Sequence, residues 1–498
     1  MKFQRRPDLS AELRINITLQ AILSAGVYGA RTRLAKQYSI SRTTLYNWLF
    51  VVTLALEQLF ATDEVSASSY PLTRDEAMLL LRLESNASIQ SISDILTALG
   101  YSHVATGTMS TRLNKLGAAI ADTLKPEKPL LLFWLSDELF ANGYPILITM
   151  EPVSAAILRI ELANDRKAVT WENHFRQIEA NQIDSSGLCS DRGSGIVGGY
   201  STFNRDLTWC SDHFHEFRSL QSLLSRVERK AYAAIEHEQE REQVFLNRRS
   251  EAALEKHLAQ LEKAEADCVA AIERYDHLHS CLAMLFSSLY FFDLSSGKPR
   301  FAQPVKEELS ILLDLLDECD LTTLRKETAT VRSHLDEICA CYQPLESLWS
   351  QLSSTIPENT LHYLALAWQH EHQSHQHKGK AAQIHRSESR FWLEAAEALL
   401  PEDEVPALIK QVFDAFNGLV RSSSLVEMVN SSLRPFLNAC RGNVTQEQLN
   451  LFMFYFNHHR FHSGKRKERS PIGILTGTEP DKPWWKLLLE TAEPHQED

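Results

Sequence analysis

The chain has 498 residues, 44% of them hydrophobic, which is too much for a single compact core and enough to bury about two to four domains. MKFQRRPDLS lacks the apolar run of a secretory leader, and no stretch approaches the roughly 18 apolar residues of a membrane helix. The expectation is therefore a cytoplasmic protein, nucleoid-associated if bacterial, with no membrane partner. The net charge of −13 argues against a polyanion partner, yet residues 207–420 alone hold about 34 acidic against 21 basic side chains. Residues 1–60 and 421–470 are each net positive by about five, so a nucleic-acid surface at either end of the chain survives the charge count.

Residues 11–60 read as three helices: AELRINITLQAILSAG, ARTRLAKQY and, after a turn at Ser39-Ile40, SRTTLYNWLFVVTLALEQLF. Leu34, Ala35, Ile40, Leu45 and Trp48 supply the apolar contacts of a helix-turn-helix unit spanning 1–62, and Ser41 caps its third helix. Arg42, Thr43, Thr44, Tyr46 and Asn47 then face outward with side chains suited to phosphates and base edges. After the polar SASSYP stretch, residues 70–126 give a second helical, helix-turn-helix-like unit. Its last helix runs from about Thr106 to Leu124, and Arg112, Asn114 and Lys115 are its DNA-facing candidates.

From residue 130 the pattern changes to strands: PLLLFWLSDE, YPILITMEP and AAILRIELA predict a meander, TWENHFRQIEA a helix, and SGLCSD a fourth strand ending in RGSGI. Residues 212–420 turn helical and acidic, and RVERKAYAAIEHEQEREQVF onward predicts a helical hairpin or coiled-coil arm. Two amphipathic helices, SSSLVEMVNSSLRPFLNACRG and TQEQLNLFMFYFNHHRFH, fill 421–463. A basic tail at 464–498 carries SPIGILTG. The predicted fold is thus mixed and multidomain, mostly α, with an α/β core interrupted by a large all-α insertion.

Phosphodiester cleavage served by two divalent metals needs hard carboxylate ligands. Asp137 ends the first strand, Asp191 ends the fourth, and Glu427 lies on a helix after the insertion. SDE at 136–138, SDRGSGI at 190–196, SLVEMVNSSLRPF at 424–436 and NHHRFHSGKRKERSPIGILTG at 457–477 together resemble the Asp-Asp-Glu transposase and retroviral-integrase superfamily. The resemblance covers roughly 130–205 and 420–477. It implies a ribonuclease-H-like core, with Asp137, Asp191 and Glu427 holding two magnesium ions, for which manganese can substitute. It also implies cleavage at transposon ends and 3′-hydroxyl strand transfer on double-stranded DNA, by a homo-oligomer. Arg192, Arg434, Lys465, Arg466 and Lys467 are then phosphate contacts. The Cys-x-x-His pair Cys210/His213, with Trp209, resembles one that supports the active site in insertion-bearing transposases.

Rivals for the three carboxylate places are Glu138, which alternation turns to the opposite face from Asp137, Asp184, which precedes its strand, and Glu447 at a helix start. The histidine-rich stretch His362–His385 reads as a solvated loop, and His458, His459 and His462 as either phosphate contacts or an exposed helix end. Eight cysteines without a CxxC pair predict neither a zinc ribbon nor a disulfide framework. Two other functions fit the same pattern: a domesticated, non-catalytic DNA-binding protein, or another nuclease of this fold such as a junction resolvase.

Overall fold

The computed structural model describes residues 8–60, 72–121, 124–247, 250–319, 321–400 and 405–493, so the SASSYP stretch lies outside the described residues. The chain divides into two compact units, Met1–Thr73 and Arg74–Asp498. The first contains α1 (Ala11–Leu23), α2 (Ala30–Gln37) and α3 (Arg42–Phe60) around Ile17, Ala21, Ala35, Leu45 and Leu49. Ser10 caps α1 through the Leu13 amide at 3.2 Å, and Ser41 accepts from the Thr44 amide at 2.9 Å. Each satisfies a donor that a helix start leaves over.

The second unit is mostly helical and contains one five-stranded mixed sheet. It opens with α4 (Arg74–Leu79), a π turn over Leu80–Glu84, α5 (Ile89–Ala98) and α6 (Thr106–Ala119). The sheet region follows as β1 (Leu130–Ala141), β2 (Tyr144–Met150), β3 (Ile157–Leu162), α7 (Ala168–Ala180), β4 (Ile183–Ser190), α8 (Ser194–Phe203) and β5 (Trp209–Ser211). The spatial order is β3-β2-β1-β4-β5. β1, β2 and β3 pair antiparallel, while β4 and β5 run parallel to β1.

Alternation along β1 sorts its residues onto two faces. Trp134 joins Leu188, Trp171, Phe175 and Tyr200 in one core beneath α7 and α8. Leu135 joins Ile148, Ile157 and Cys189 in the other, which is shared with the later helices. Gly199 is required by the closeness of α7 and α8, because a Cβ there would lie 2.5 Å from that of Trp171.

After β5 come the arm helices α9 (His213–Leu246) and α10 (Glu251–Ser288), packed against each other. A helical body follows: α11 (Ala302–Asp317), α12 (Thr322–Ser333), α13 (Leu335–Cys339), α14 (Gln343–Ser353), α15 (Glu358–Gln376), α16 (Gly379–Glu397) and α17 (Val405–Asn417). The histidine-rich stretch is here a packed helical pair, α15 and α16, and the solvated-loop expectation is corrected. Alternation of His with Gln and Ser looks polar, but helical spacing puts Gln369, His370, Gln373 and Ser374 on the buried face. His370 and His385 meet there, Nδ1 to Nδ1, at 2.9 Å.

The chain ends in α18 (Val426–Ala439), α19 (Gln446–His458), α20 (Pro471–Thr476) and α21 (Trp484–Ala492). α19 packs against β3, α6, α20 and α21, so the tail beyond 464 is folded back on the unit. Ser470 caps α20 through the Gly473 amide at 3.0 Å and donates to Glu479 at 2.9 Å, which places SPIGILTG in a built corner. Among the described residues no helix is long and apolar enough to cross a membrane.

Candidate active site

Three Ser-Asp dipeptides lie level on three neighbouring parallel strands: those of β4 and β5 end their strands, whereas β1 runs on past Asp137 to Ala141, paired with β2, which corrects the expectation that Asp137 ends the first strand. Ser136 is in register with Ser190, and Ser190 with Ser211. The next residues, Asp137, Asp191 and Asp212, therefore stand side by side where the parallel pairing stops. Asp137 shares the face of Leu135, toward α18. Ser136 turns the other way, bonding Thr149 at 2.8 Å, and Thr149 in turn meets His174 of α7 at 3.0 Å. Glu138, on that opposite face, is ion-paired to Arg166.

Helix α18 closes the site. Asn430, fully buried, donates Nδ2 to Asp137 Oδ2 at 3.1 Å and leaves its own Oδ1 without a hydrogen-bond partner among the described residues. Glu427, one turn earlier on the same helix, is exposed and meets Arg434 at 3.3 Å. Burial raises the Asp137 carboxyl to about 6, and the negative charges of Asp191 and Glu427 push the same way, while the Glu138 amide and Asn430 oppose them. Asp137 thus feels the charge of both Asp191 and Glu427, although the insertion separates Glu427 from the other two along the chain.

Asp191 accepts only the Gly193 amide, at 3.0 Å, and no Lys or Arg is bonded to Asp137 or Asp191 among the described residues. Uncompensated carboxylates beside an orphaned amide oxygen form the donor set that a hard divalent cation takes. Among the described residues no group of three His, Cys, Asp or Glu side chains is close enough together to hold a metal as it stands. Glu427, free on its outer side, is the member with room to move.

Cys210 and His213 go elsewhere. Cys210 is buried, and buried His213 donates its Nε2–H to the Ile338 carbonyl (2.8 Å) and lies 3.5 Å from Cys341, inside the helical body. Burial, helped by Arg421, lowers His213 to about 4, so it is a neutral packing residue. The pair that faces the carboxylates is two residues on: His215 Nδ1 bonds Asp212 Oδ2 at 3.0 Å. Its pKa is raised first by that bond and further by Asp191 and Asp137. Asp212 also accepts from the Phe214 amide (2.7 Å) and from the Ser423 amide (3.1 Å) and hydroxyl, which fastens the strand end to the segment leading into α18. Trp209 is half-buried, donates to Ser190 Oγ at 3.0 Å and carries the Arg192 guanidinium 5.3 Å from its ring.

The candidate cations divide by environment. Arg192 is held by Glu216 at 2.5 Å and Glu337 at 3.2 Å, and Arg112 by Asp75 at 2.7 Å and Glu493 at 2.6 Å, with Lys115 3.5 Å from Glu493. Arg466 donates to the Val153 and Pro152 carbonyls, and Lys467 lies 3.5 Å from Glu468. In the first unit Arg42, Thr43, Tyr46 and Asn47 are exposed and Thr44 half-buried. His458 stacks on Phe454 at 3.9 Å, and His459 lies 3.5 Å from Glu84. Glu447 packs its backbone against Gly117, where a Cβ would come within 2.0 Å of the Glu447 carbonyl oxygen, so this rival serves the α6–α19 contact. No protein-family model matches the chain, and no curated protein matches its sequence.

Proposed function

We propose that the protein is a DNA transposase of the Asp-Asp-Glu type, with a ribonuclease-H-like core split by the helical insertion. The observation that carries this reading is the meeting of Asp137, inside β1 where its pairing with β4 stops, and Asp191, just past the end of β4, with α18, which brings Glu427 within electrostatic reach and Asn430 into contact with Asp137. A mixed sheet of order 3-2-1-4-5, with one carboxylate on the first strand and the next level with it just past the end of the fourth, supports the same reading.

Asp137, Asp191 and Glu427 would hold two magnesium ions, or manganese in their place, which when bound activate the attacking oxygen and stabilise the leaving oxygen. The chain's own groups do the rest. Asn430 and the Glu138 amide orient Asp137, the Gly193 amide orients Asp191, and His215, fixed by Asp212 and with its pKa raised, stands beside the carboxylates, where its protonated form would meet a phosphate. The exposed start of α3 is the proposed DNA reader, and the α9–α10 arm the proposed self-association surface.

The test is strand transfer of a precleaved transposon end into plasmid DNA with Mg²⁺, comparing wild type with Glu427→Gln. Full activity in the variant would remove Glu427 from the site, and absence of Mg²⁺-dependent strand cleavage by the wild type on every end tested would remove the transposase reading.

A further inference from the structure

A cleft of about 300 Å³ opens where α15 and the end of α17 face the loop between α19 and α20. Its walls carry Arg421, Lys465, Arg466 and Arg469 with one lining carboxylate, Asp414; Arg469 is paired with Glu479 at 3.8 Å, and Glu371 and Glu151 offset part of the charge of Lys465 and Arg466. Arg466 and Arg421 donate to backbone carbonyls of Pro152, Val153 and Leu289, which satisfies their N–H groups and leaves their charge in place. Lys465 has no ion-pair partner among the described residues, and burial, then repulsion from Arg466, lowers its pKa. An excess of like charge gathered at one cleft costs stability unless an anion offsets it.

A second observation is independent of charge. Gln373 is 1% exposed and lines the cleft. Its Oε1 accepts from the Tyr290 hydroxyl at 3.0 Å, and its Nε2 is buried with no acceptor among the described residues. A buried donor left unmade costs roughly 1–3 kcal/mol, so it marks a place for an acceptor. Ser424 and Leu425 also line the cleft, which therefore leads to the first turn of α18 and Glu427.

The volume suits a single small group rather than a duplex. Trp368, 2% exposed and tilted onto His372 at 4.1 Å, offers no open face for a base. Recognition here is by charge and hydrogen bonding rather than by stacking.

We propose that this cleft takes the phosphodiester backbone of an unpaired DNA strand leaving the carboxylate site, with Lys465 and Arg421 opposing the phosphate charge and Gln373 Nε2 donating to a phosphate oxygen. The inference rests on the nucleic-acid reading of the carboxylate site, but its test does not need chemistry.

Fluorescence anisotropy of the full chain in EDTA, across a salt series, would use a labelled 15-nucleotide single strand as the probe. The competitors would be the unlabelled strand, its duplex and inorganic pyrophosphate. Lys465→Gln is expected to weaken strand binding about 3- to 10-fold and to flatten the log–log salt dependence by about 0.7, one released counterion's worth. Gln373→Leu, of similar volume and neutral, is expected to weaken binding about 3- to 10-fold with the salt slope unchanged. Melting curves matching wild type establish that both variants fold.

Wild-type binding by both folded variants would overturn the proposal, as would competition by duplex equal to that by single strand. Pyrophosphate competing as well as the strand, phosphate for phosphate, would show a free-anion site and overturn the strand assignment. A parallel Mg²⁺ cleavage assay separates the two readings: variant-sensitive strand binding without wild-type cleavage leaves the cleft proposal standing and removes the transposase.

Discussion

Replacing Asp212 by Asn tests how the two halves of the candidate site are joined. Asp212 is fully buried and accepts from Phe214, His215 and, twice, Ser423. Burial alone would raise this carboxyl, and the bonds from His215 and Ser423 outweigh it, bringing it from 3.8 down to about 2. At 1.36 kcal/mol per pH unit the depressed pKa corresponds to about 2 kcal/mol of folding stability. Because the folded pKa lies below the unfolded one, that contribution is complete above about pH 4 and lost only as pH falls toward 2. The amide of Asn also turns an N–H toward one of the Ser423 donors, which adds the cost of an unmade bond. Urea denaturation should therefore show Asp212→Asn destabilised by about 2–3 kcal/mol at pH 7 and by more at pH 5, because the variant also loses the bond that raises the His215 pKa, whose contribution is complete only below the unfolded value of 6.5. A loss below about 0.5 kcal/mol, or one that shrinks between pH 7 and pH 5, would refute the reasoning.

Glu427→Gln should lower Mg²⁺-dependent strand transfer at least about 100-fold. Its melting temperature should stay near that of wild type, since Glu427 is 54% exposed and bonded only to Arg434, and calorimetry checks this. His213, held neutral by burial with a pKa of about 4, contributes stability that is complete above its unfolded value of 6.5 and lost as pH falls toward 4. His213→Gln should remove about 2 kcal/mol of the difference between urea unfolding at pH 7 and at pH 5. Gly117→Ala should destabilise by more than about 3 kcal/mol in the same assay, because its Cβ would lie 2.0 Å from the Glu447 carbonyl oxygen and neither backbone has room to yield.

Much of the site was legible because strand ends leave local marks. Alternation in LLLFWLSDE separates Asp137 from Glu138, and the structure puts these two residues on opposite faces, with Glu138 bound to Arg166. The helices of 11–60 followed from apolar spacing and from Ser41 as a cap, while the Ser10 cap of α1 emerged only from the structure. The Cys210–His213 pair misled because a Cys-x-x-His spacing says nothing about which way a strand-to-helix junction turns. The overlooked signal was repetition: Ser-Asp occurs on three parallel strands in register, at 136–137, 190–191 and 211–212, and the third is followed three residues later by His215. Asn430 was missed because a single Asn on an amphipathic helix carries no mark of its contact with Asp137, 293 residues away. The histidine-rich pair α15–α16 was read as loop because polar composition outweighed period, and only packing reveals that Gln369 and Gln373 are interior.

The Asp212–Ser423 contact has a consequence for how this chain can vary. The His213 amide also donates to the Arg421 carbonyl, at 3.1 Å, so the insertion enters and leaves through one narrow neck. A segment whose ends are pinned together closes its loop at a cost that grows only as the logarithm of its length, about 0.6 kcal/mol per doubling. Loop closure therefore sets little limit on how much polypeptide hangs from that neck. Length can be added or trimmed at the far end of the α9–α10 arm while Asp137, Asp191 and α18 keep their places, whereas α13 and the turn into α14 must stay, because β5 and His213 pack on them.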